Sequence, residues 1–542
     1  MTRSTKRIIF IVLFTIYIGF SILLPFVETG HEGASILTIR ESVWYTLVTI
    51  TTVGYGDYYP VSTLGKIISL FYLSLSLGIL AYLIGTLASQ VSNHVTPKAL
   101  ITLNANKEKY IFSDMNNYSI TLAKNIYETN TEKGAPILIF ADNNDVISET
   151  LLTEVPHYKL APNAISSLLH SKRVQKLSYI CFSEDEYDNM KNADILLNSV
   201  HKSCSIYYNS SHGLLDSHSN SLAFSLYETS ARYYWSTHPL RFDEKNIMIL
   251  GFDKHAQYLL LQALLVNILE VNSVINYHIF ATEEQSSRFL SNYPMLEEFL
   301  SIGEEANKRD SIVFHSTDFL NEVKLIEKSN RIIICHDKDT KNHIAFQRLS
   351  KRYTALTIHV RSLYLFKNDK KINNIVFWGT LKDICTKDLI IKENLNRIAK
   401  KTHTLYLNMC GDESDPDESW KELSKFHKQS NISQADHVIS KLMILLNLRQ
   451  KSYEELSTRI VDESLSVLKS ISKDEKDLLC EIEHIRWMRF MYVNNWSYDK
   501  KRYNPKRKHN MLVDYSELSY EEQIMDFNAW ENIVNFRDLI NE

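Results

Sequence analysis

Six consecutive residues combine two glycines with hydroxyl-bearing, branched, aromatic and acidic side chains. They are Thr52, Val53, Gly54, Tyr55, Gly56 and Asp57. Glycine permits backbone conformations that turn successive carbonyls toward one side of the chain, which a Cβ would oppose. Carbonyl oxygens aligned in this way replace the hydration shell of an ion that passes between them. The run therefore predicts an ion-selectivity filter that is built from backbone rather than from side chains.

Two apolar segments flank this run, and each is long enough to cross a bilayer. Residues 8–27 form the first predicted span and residues 67–88 the second. At about 1.5 Å of rise per residue, about twenty helical residues cover the hydrocarbon core. Arg3, Lys6 and Arg7 precede the first span, so the positive-inside rule places the N-terminus in the cytoplasm. A cleaved signal peptide is the alternative for this segment, which is long for one and lacks an Ala-x-Ala-like site.

The stretch between the two spans is too short to cross the membrane by itself. Residues 28–40 are polar and are predicted to form an outer turret. Residues 42–57 are predicted to hold a short re-entrant pore helix and then the filter, with Ser42 as the helix N-cap. Trp44 and Tyr45 would brace the filter from behind. Non-helical backbone at this depth is tolerated where it is buried in protein or lines a wet pore.

With two spans and one pore loop, residues 1–95 resemble the pore domain of the two-transmembrane potassium channels. The resemblance implies a homotetramer in the lipid bilayer, in which each chain supplies a quarter of the filter. Potassium ions would be bound by the carbonyls of Thr52, Val53, Gly54 and Tyr55. No segment resembles an arginine-rich voltage-sensing helix, so we do not expect voltage to be the primary gate.

Two glycines lie inside the second predicted span. A glycine in a helix interior costs about 1 kcal/mol relative to alanine, so Gly78 and Gly85 each require a reason. We predict that they are gating hinges at which the inner helix bends to open. The alternative is that they only permit close packing of helices, as small residues do in membranes.

The composition indicates a small membrane pore that carries a large cytosolic assembly. Beyond residue 90 no further segment is long and apolar enough to span, and about 450 residues suffice for about three domains. The net charge of −4 gives no electrostatic case for nucleic acid as a partner. The six cysteines lack C-x-x-C spacing, which indicates free thiols in a reducing compartment rather than disulfides or a zinc site.

A linker, residues 96–107, is predicted to lead into two tandem α/β lobes, 108–240 and 241–410. Their predicted strands are 110–112, 137–140, 179–182, 205–208, 247–250, 277–280, 311–314, 331–334 and 357–360. Strands that alternate with helices indicate a parallel sheet. Tandem Rossmann-like lobes behind such a pore resemble the RCK domains, the regulators of potassium conductance. That resemblance implies a gating ring of eight lobes that widens on ligand binding and pulls on the inner helices.

Neither lobe has the complete glycine fingerprint of a dinucleotide site. That fingerprint needs G-x-G-x-x-G, so that a pyrophosphate can approach the turn after the first strand. The second lobe keeps only Gly251, followed by Asp253 and Ala256, and the first lobe has no glycine in residues 112–117. We therefore do not expect either lobe to bind NAD, and we interpret most of this region as scaffold and lever.

Residues 411–542 are predicted to form a mostly α-helical domain. Glu483-His-Ile-Arg-Trp487, Asn495-Trp-Ser-Tyr498 and the stretch 508–518 are similar to the recurring pattern of the ryanodine-receptor repeat (RyR) domain. Asn495 and Asn510 stand where that pattern usually has Gly and Pro. The side chains predicted to bind a ligand are His484, Arg486, Trp487, Trp496, Tyr498 and His509.

These side chains suit a nucleotide-type messenger. The planar fork of Arg486 matches phosphate or carboxylate, and the aromatic rings could stack on a base. The alternative is that Trp487 belongs to a core and that Arg486 only pairs with Glu483, three residues earlier. The resemblance implies nucleotide signalling, often in anti-phage defence, by a channel of a bacterial inner membrane with both termini in the cytoplasm.

An acidic run offers a rival sensor. Residues 412–418 contain five carboxylates, and calcium prefers oxygen ligands. The spacing does not fit an EF-hand, and an acidic run with a proline is typical of a solvated linker. A channel regulated by calcium or NAD, with a purely structural C-terminal domain, stays the alternative function. No nucleophile–base pair, metal triad or phosphate-binding loop is evident, so we do not expect an enzyme.

Overall fold

A computed structural model provides the structure of the chain. It describes residues 3–90, 107–130, 134–141, 155–170, 176–199, 204–211, 220–272, 274–305, 308–353, 356–365 and 374–540. Two compact units make up the chain. One contains residues 1–105 and 160–174, and the other contains residues 106–159 and 175–542. Residues 96–106 of the predicted linker lie outside the described residues.

Three helices form the body of the first unit. They are α1 (Arg3–Glu28), α2 (Ile39–Ile50) and α3 (Thr63–Gln90). Within the described residues, Thr63–Ala81 of α3 is long and apolar enough to cross a membrane, whereas the apolar part of α1, Thr15–Glu28, is shorter. The helices α1 and α3 contain the two predicted spans, and α2 lies between them as predicted for the pore helix.

The pore helix begins earlier than the sequence pattern indicated. Its N-cap is Thr38, whose hydroxyl accepts from the Glu41 amide while the Glu41 carboxylate accepts from the Thr38 amide. This reciprocal capping box satisfies two amides at the helix start, so the predicted cap at Ser42 is wrong. Ser42 is buried inside the helix, and its hydroxyl donates to the carbonyl of Ser21 on α1 at 2.5 Å.

Aromatic and polar contacts hold α1 against α3. The rings of Tyr17 and Tyr72 stack with centroids 4.1 Å apart. At the other end of α1, the buried carboxylate of Glu28 accepts from the amide of Val61 at 2.8 Å and from the hydroxyl of Ser62 at 2.6 Å. Ser62 directly precedes α3, so the negative charge of Glu28 interacts favourably with the positive end of the α3 dipole.

The first lobe contains a six-stranded sheet. Its strands are β1 (Lys109–Phe112), β2 (Ile137–Ala141), β3 (His157–Leu160), β4 (Leu177–Cys181), β5 (Cys204–Asn209) and β6 (Ser221–Phe224). Two helices, α4 (Asn117–Thr129) and α6 (Glu186–Ser199), belong to this lobe. The helix α5 (Pro162–Leu169) belongs to the first compact unit. The helix α7 (Leu226–Thr237) contributes Ala231, Tyr234 and Trp235 to the core of the second lobe. The strand order is β3-β2-β1-β4-β5-β6, and β1 pairs in parallel with β2 and β4. This is the doubly wound order of Rossmann folds.

The second lobe repeats this arrangement. Its strands are β7 (Asn246–Leu250), β8 (Asn276–Phe280), β9 (Ser301–Ile302), β10 (Ser311–His315), β11 (Arg331–Ile334), β12 (Ile358–Arg361) and β13 (Ile375–Trp378). Its helices are α8 (Lys254–Val266), α9 (Glu283–Asn292), α10 (Val323–Lys328) and α11 (Asp339–Ser350). The order is β13-β12-β11-β7-β8-β10-β9, so the two halves of the sheet meet at β7 and β11. The prediction of tandem parallel-sheet lobes is confirmed.

After β13 the chain returns to the first lobe. Two short helices, α12 (Leu381–Ile384) and α13 (Lys387–Ile390), lie here, and their apolar side chains join the first lobe's core. Lys387 Nζ donates to Glu108 Oε2 at 2.9 Å and to Asn130 Oδ1 at 2.8 Å. Residues 381–391, which the sequence pattern placed in the second lobe, thus complete the first.

Helices dominate the rest of the chain. They are α14 (Arg397–Cys410), α15 (Pro416–Glu422), α16 (Lys425–Asp436), α17 (Val438–Asn447), α18 (Thr458–Leu468), α19 (Lys473–Val493), α20 (Tyr520–Met525) and α21 (Asn528–Glu531), with short strands β14 (Ser497–Tyr498) and β15 (Lys508–His509). Their core includes Ile268 and Leu269 of the second lobe. Arg232 of α7 also pairs with Asp436 at 2.7 Å, so these helices and the lobes are held together by apolar and charged contacts.

Candidate functional site

The backbone of the predicted filter alternates between two conformations. Thr52, Gly54 and Gly56 have φ of 58°, 59° and 72°, whereas Val53 and Tyr55 are not among the positive-φ residues. Alternation of residues with positive φ and residues without it allows successive carbonyls to turn toward the same side. Only glycine adopts positive φ without cost, which explains two of the three positions. Thr52 is not a glycine, so its positive φ is strained, and strained backbone conformations cluster at functional sites.

The amides at the start of the filter are bonded to the pore helix. The amides of Val53 and Gly54 donate to the carbonyl of Val48 at 3.1 and 3.3 Å, and the Thr52 amide donates to Thr49. Because the N–H groups are bonded to α2, the carbonyls are left for the opposite side. Residues 52–57 are all exposed in the single chain, which leaves this row of carbonyls open to an ion or to further chains.

Side chains of the pore helix hold the outer end of the filter. Trp44 Nε1 donates to Asp57 Oδ2 at 2.7 Å, and the rings of Trp44 and Tyr55 lie parallel with centroids 6.2 Å apart. The ring of Tyr45 packs instead beside Tyr72, 6.0 Å away. Trp44 therefore contacts the filter, whereas Tyr45 contacts the following helix.

The glycines of α3 differ in their surroundings. No heavy atom lies within 4 Å of a Cβ built on Gly78 or Gly85 in the described single chain. Packing within one chain therefore does not require glycine at either position, and the hinge role stays a prediction. A Cβ on Gly65 would overlap the carboxylate of Glu28, so that glycine is required by packing.

The turn after β1 in the first lobe is closed by its own side chains. Asn116 caps α4 by accepting from the amide of Ser119 at 3.0 Å, and its amide group donates to the carbonyl of Phe182. The hydroxyl of Ser113 accepts from the Phe182 amide at 3.1 Å. These bonds join the turn to the end of β4, where a dinucleotide would otherwise approach.

The corresponding turn in the second lobe borders an open cleft of about 350 Å³. Gly251 has φ of 94°, and a Cβ there would lie 2.5 Å from His336 Nδ1. The glycine therefore accommodates His336, which lies where a pyrophosphate would approach. The cleft is also lined by Thr282, His315, Lys341 and Arg348, which can donate hydrogen bonds to an anion.

A carboxylate of the chain already occupies the start of α8. Asp337 Oδ1 accepts from the amide of His255 at 3.1 Å and from His255 Nδ1 at 2.8 Å. On the other side of the ring, Arg361 donates to His255 Nε2 at 2.9 Å. Burial and the neighbouring charge of Arg361 lower the pKa of His255 to about 4. A neutral histidine thus lies between an internal anion and an internal cation.

The predicted ligand residues of the C-terminal region do not surround one open cavity. Arg486 is 4% exposed; its Nε and Nη2 donate to Glu483 at 2.9 and 2.8 Å, and its Nη1 donates to Ser433 at 3.0 Å. His484 is 1% exposed, and its Nε2 lies 2.9 Å from the carbonyl of Val513. In this conformation, the polar atoms of both side chains bond within the protein.

The aromatic members of the set lie together beside these groups. The rings of Trp487 and His509 pack edge to face with centroids 5.0 Å apart, and Trp496 stacks on Phe426 at 5.3 Å. Trp496 and His509 are buried, whereas Tyr498 is 48% exposed. Tyr498 is therefore the member of the six with the most accessible ring, and a binding role for the set stays a prediction.

The acidic run is exposed along its whole length. Residues 412–418 are solvent-exposed, and the carboxylate of Asp415 caps α15 by accepting from the amides of Asp417 and Glu418. Among the described residues, no group of three or more His, Cys, Asp and Glu side chains has the geometry to hold a metal ion. The calcium alternative therefore has no preformed site in the described residues.

Two features of these regions were missed by the sequence interpretation. One is the carboxylate of Asp337, which lies at the start of α8 where a bound anion would lie. The His-Asp pair that follows β11 was its signal in the sequence. The other is a cationic stretch, residues 499–508, in which six of ten side chains are Lys or Arg. Its signal was present in the charge pattern alone.

Comparison with known proteins gives one family match. Residues 7–93 match the family described as "Ion channel". The calcium-gated potassium channel TvoK of Thermoplasma volcanium is 27% identical over 151 residues, which are 27% of this chain and 39% of that protein. A voltage-gated potassium channel of Aeropyrum pernix is 34% identical over 79 residues, 15% of this chain and 26% of that one. The chain thus spans well under half the length of these relatives.

Among solved structures, the GsuK channel is similar at low level. Its structure bound to NAD aligns over 73% of this chain and 86% of that one, with 11% identity and a TM-score of 0.33. Its structure bound to ADP aligns over 72% and 100%, with 11% identity and a TM-score of 0.31. These scores add nothing to the fold described above. From its matched segment and its three helices, the N-terminal part of the chain, residues 7–93, is an ion-channel domain.

Proposed function

We propose that four copies of this chain form a potassium-selective channel of a bacterial inner membrane. The observation that carries the proposal is the alternating φ of Thr52, Gly54 and Gly56, with the amides of Val53 and Gly54 bonded to the pore helix. One chain provides a single row of exposed carbonyls. A ring of such rows is needed to replace the hydration shell of potassium on all sides.

The two lobes and the C-terminal helices are the gating part of this channel. A nucleotide-type messenger binds there, widens a ring of lobes and opens the pore, and anti-phage defence is the setting in which such an opening would serve. To move a pore from 1% to 99% open, the ligand must favour the open state by about 5.5 kcal/mol. Four identical sites would share this at roughly 1.4 kcal/mol each, which makes the dose dependence steep.

Two sites of the chain could hold the ligand, and an experiment can distinguish them. The RyR-like region offers Tyr498 as an exposed ring on the strand that pairs with the strand of His509. The second lobe offers the open cleft at Gly251, where the cation of Lys341 could pair with a phosphate while the carboxylate of Asp253 could accept from a hydroxyl. The cleft supports the second candidate function, a channel regulated by a dinucleotide such as NAD. Calcium is a further candidate ligand. The acidic run could bind it, and one relative is a calcium-gated potassium channel.

Potassium flux from proteoliposomes that contain the full-length protein tests the channel. Gly54→Ala places a Cβ at φ 59° inside the filter and is expected to abolish flux. The matched control is Gly33→Ala, a turret glycine at φ 81° with open space around it. It carries similar backbone strain and is expected to leave flux intact. Equal loss in both variants, or flux that does not prefer potassium to sodium, would contradict the proposal.

The same flux assay distinguishes the two ligand sites. Cyclic and ADP-ribose-type nucleotides, NAD and calcium are each added to the liposomes. Loss of the response in Tyr498→Ala assigns the ligand to the C-terminal region, and loss in Lys341→Met assigns it to the second-lobe cleft. Both side chains are exposed, so neither substitution disturbs a core. Deletion of the C-terminal helices is unsuitable because it would uncover Ile268 and Leu269.

A further inference from the structure

The C-terminal region carries a loop of concentrated positive charge. Residues 499–508, here called the cationic loop, contain six cationic side chains and one acidic one, in a chain whose net charge is −4. The six are Lys500, Lys501, Arg502, Lys506, Arg507 and Lys508. All but Lys508 are exposed. The loop therefore carries a net positive charge in a molecule whose net charge is negative.

Asp499 is the one carboxylate within the loop, and in the described part of the chain none of the six cations forms an ion pair. Arg507 donates to the carbonyl of Asn494 at 3.0 Å, and Lys508 donates to the hydroxyl of Ser497 at 2.8 Å. These neutral acceptors orient the side chains without neutralising them. Like charges held this close together repel one another, so an anion brought to the loop lowers its free energy.

The complementary surface lies on the same chain. Residues 412–418, here called the acidic segment, carry five carboxylates, and all seven residues are exposed. Their one ion pair among the described residues joins Glu418 to Lys421, three residues on, at 2.7 Å. Asp415 is used as a helix cap. The others remain available to a cationic partner, and within one described chain the two charged surfaces do not contact each other.

We propose that the acidic segment of one copy binds the cationic loop of a neighbouring copy. The inference rests on the tetramer of the proposed function, since that assembly brings four loops and four segments together. Tethering within one assembly raises the effective concentration of the partners to about the millimolar range, at which several weak exposed ion pairs suffice. The loop is solvated rather than enclosed, so it suits an extended anionic segment better than a small phosphate, which requires preorganised donors.

This interface would link neighbouring C-terminal regions into a closed ring. A ligand that moves one C-terminal region would then move the next one through the paired charges. The pairs are exposed, so they are screened by salt: the Debye length is about 10 Å at 0.1 M and about 3 Å at 1 M. The coupling between copies is therefore expected to weaken at high ionic strength.

Cross-linking between two differently tagged full-length copies tests the contact. One copy carries Glu413→Cys and the other Arg502→Cys, and both carry Cys410→Ser because Cys410 is exposed whereas the other five cysteines are buried. On mild oxidation we expect a disulfide-linked pair that contains both tags. Assemblies in which every copy carries only Glu413→Cys, or only Arg502→Cys, should give no disulfide-linked dimer.

Charge reversal shows whether ion pairing causes the contact. Lys500→Glu with Lys501→Glu is expected to lower the cross-linking yield by roughly fivefold. Adding Asp417→Lys with Glu418→Lys is expected to restore most of it. The matched control, Lys324→Glu with Lys351→Glu, makes the same change in net charge at exposed sites on the second lobe and should leave the yield unchanged.

The outcomes separate this inference from the proposed function. A tetramer of the two cysteine variants that conducts potassium but gives no cross-link, or a yield insensitive to the loop charges, overturns the inference alone. If the loop reversal instead abolishes binding of the channel's cytosolic face to phosphatidylglycerol vesicles, the partner is lipid and the inference is equally overturned. A protein that is not tetrameric overturns both.

Discussion

The side chains of Glu483 and Arg486, one turn apart on α19, form an ion pair that is closed to solvent. Glu483 Oε1 accepts from both Nε and Nη2 of Arg486, at 2.9 and 2.8 Å. The second oxygen of Glu483 lies 3.0 Å from Lys441 Nζ, which is fully buried and also donates to the carbonyl of Ala529. One carboxylate thus holds two cations from two helices inside the C-terminal region.

We predict that Arg486→Met destabilises this region by about 3 kcal/mol, because breaking a buried ion pair leaves polar groups without partners. Tryptophan fluorescence during urea unfolding of the full-length protein measures the change. The control is Arg459→Met, whose side chain is 63% exposed and pairs with an exposed Glu454. It should cost less than about 1 kcal/mol. Unchanged stability with a lost ligand response would instead favour the predicted binding role of Arg486.

Acid should weaken the second lobe through His255. Burial and Arg361 lower the folded-state pKa of His255 to about 4, whereas an unfolded histidine titrates near about 6.5. Between these values the unfolded chain binds the proton and the folded chain does not, so stability falls as the pH falls from about 6.5 to about 4. The contribution of this group reaches roughly 3 kcal/mol at pH 4.

Urea unfolding at a series of pH values checks this expectation by comparing the protein with His255→Gln. Glutamine can still donate to Asp337 but does not titrate. The two stability curves should therefore run parallel above pH 6.5, and below it the unmodified protein should lose stability faster than the variant. Other buried histidines, such as His278 and His437, also have lowered pKa values. Their effect is common to both proteins and cancels. Curves that stay parallel down to pH 4 would contradict the prediction.

Lys387 joins residues 381–391 to the beginning of the first lobe. Its side chain is 9% exposed and bonds both Glu108 and Asn130, and Glu108 directly precedes β1. Lys387→Met removes both bonds and is predicted to cost about 1–2 kcal/mol. Burial alone would raise the pKa of Glu108, but Lys387 and other bonds lower it to about 2, so the variant should also bring that pKa back toward its ordinary value.

Thermal unfolding and the ligand concentration for half-maximal potassium flux both report on this contact. Lys392→Met, which removes an exposed pair with Asp388, is the control and should change neither. If Lys387→Met lowers stability but leaves the flux response unchanged, the contact is structural only and does not transmit motion to the linker.

The sequence predicted the positions of three N-terminal helices and nine strands because each rests on a local pattern; the filter between the helices stays a prediction. Short apolar runs and glycine spacing need no knowledge of distant neighbours. The start of the pore helix was missed because Thr38 and Glu41 compete with Ser42 as a cap, and the winning capping box depends on two residues at once. The buried state of Arg486 was open for a similar reason. Ser433 bonds Arg486, and Lys441 pairs with its partner Glu483; both come from other helices, which no local pattern reveals.

The return of residues 381–391 to the first lobe was also beyond local patterns. These helices are amphipathic and fit either lobe by composition, and the contact of Lys387 with Glu108 spans 279 residues of sequence. Non-local contacts of this kind decide domain boundaries. Ile268 and Leu269 are a second example. Their apolar side chains would fit the core of their own lobe, but they pack in the core of the C-terminal helices.

Gly65 and Gly78 on α3 should respond to alanine in opposite ways. A Cβ on Gly65 would overlap the carboxylate of Glu28, and that carboxylate is fixed by the amide of Val61 and the hydroxyl of Ser62. Gly65→Ala is therefore predicted to displace Glu28 and to destabilise the pore by about 2–3 kcal/mol. Gly78→Ala meets open space and gains about 1 kcal/mol of helix propensity, so the pore should remain at least as stable.

Thermal dissociation of the purified assembly, followed on gels, and single-channel recording together check these two variants. Gly65→Ala should lower the dissociation temperature, and pairing it with Glu28→Ala should cost less than the sum of the two changes, because the severest overlap of the alanine Cβ, that with the Glu28 carboxylate, is then removed. Gly78→Ala should keep the dissociation temperature but lower the open probability if the inner helix bends there. An open probability equal to that of the unmodified channel would exclude Gly78 as the hinge, and the same recording on Gly85→Ala would then test the remaining position.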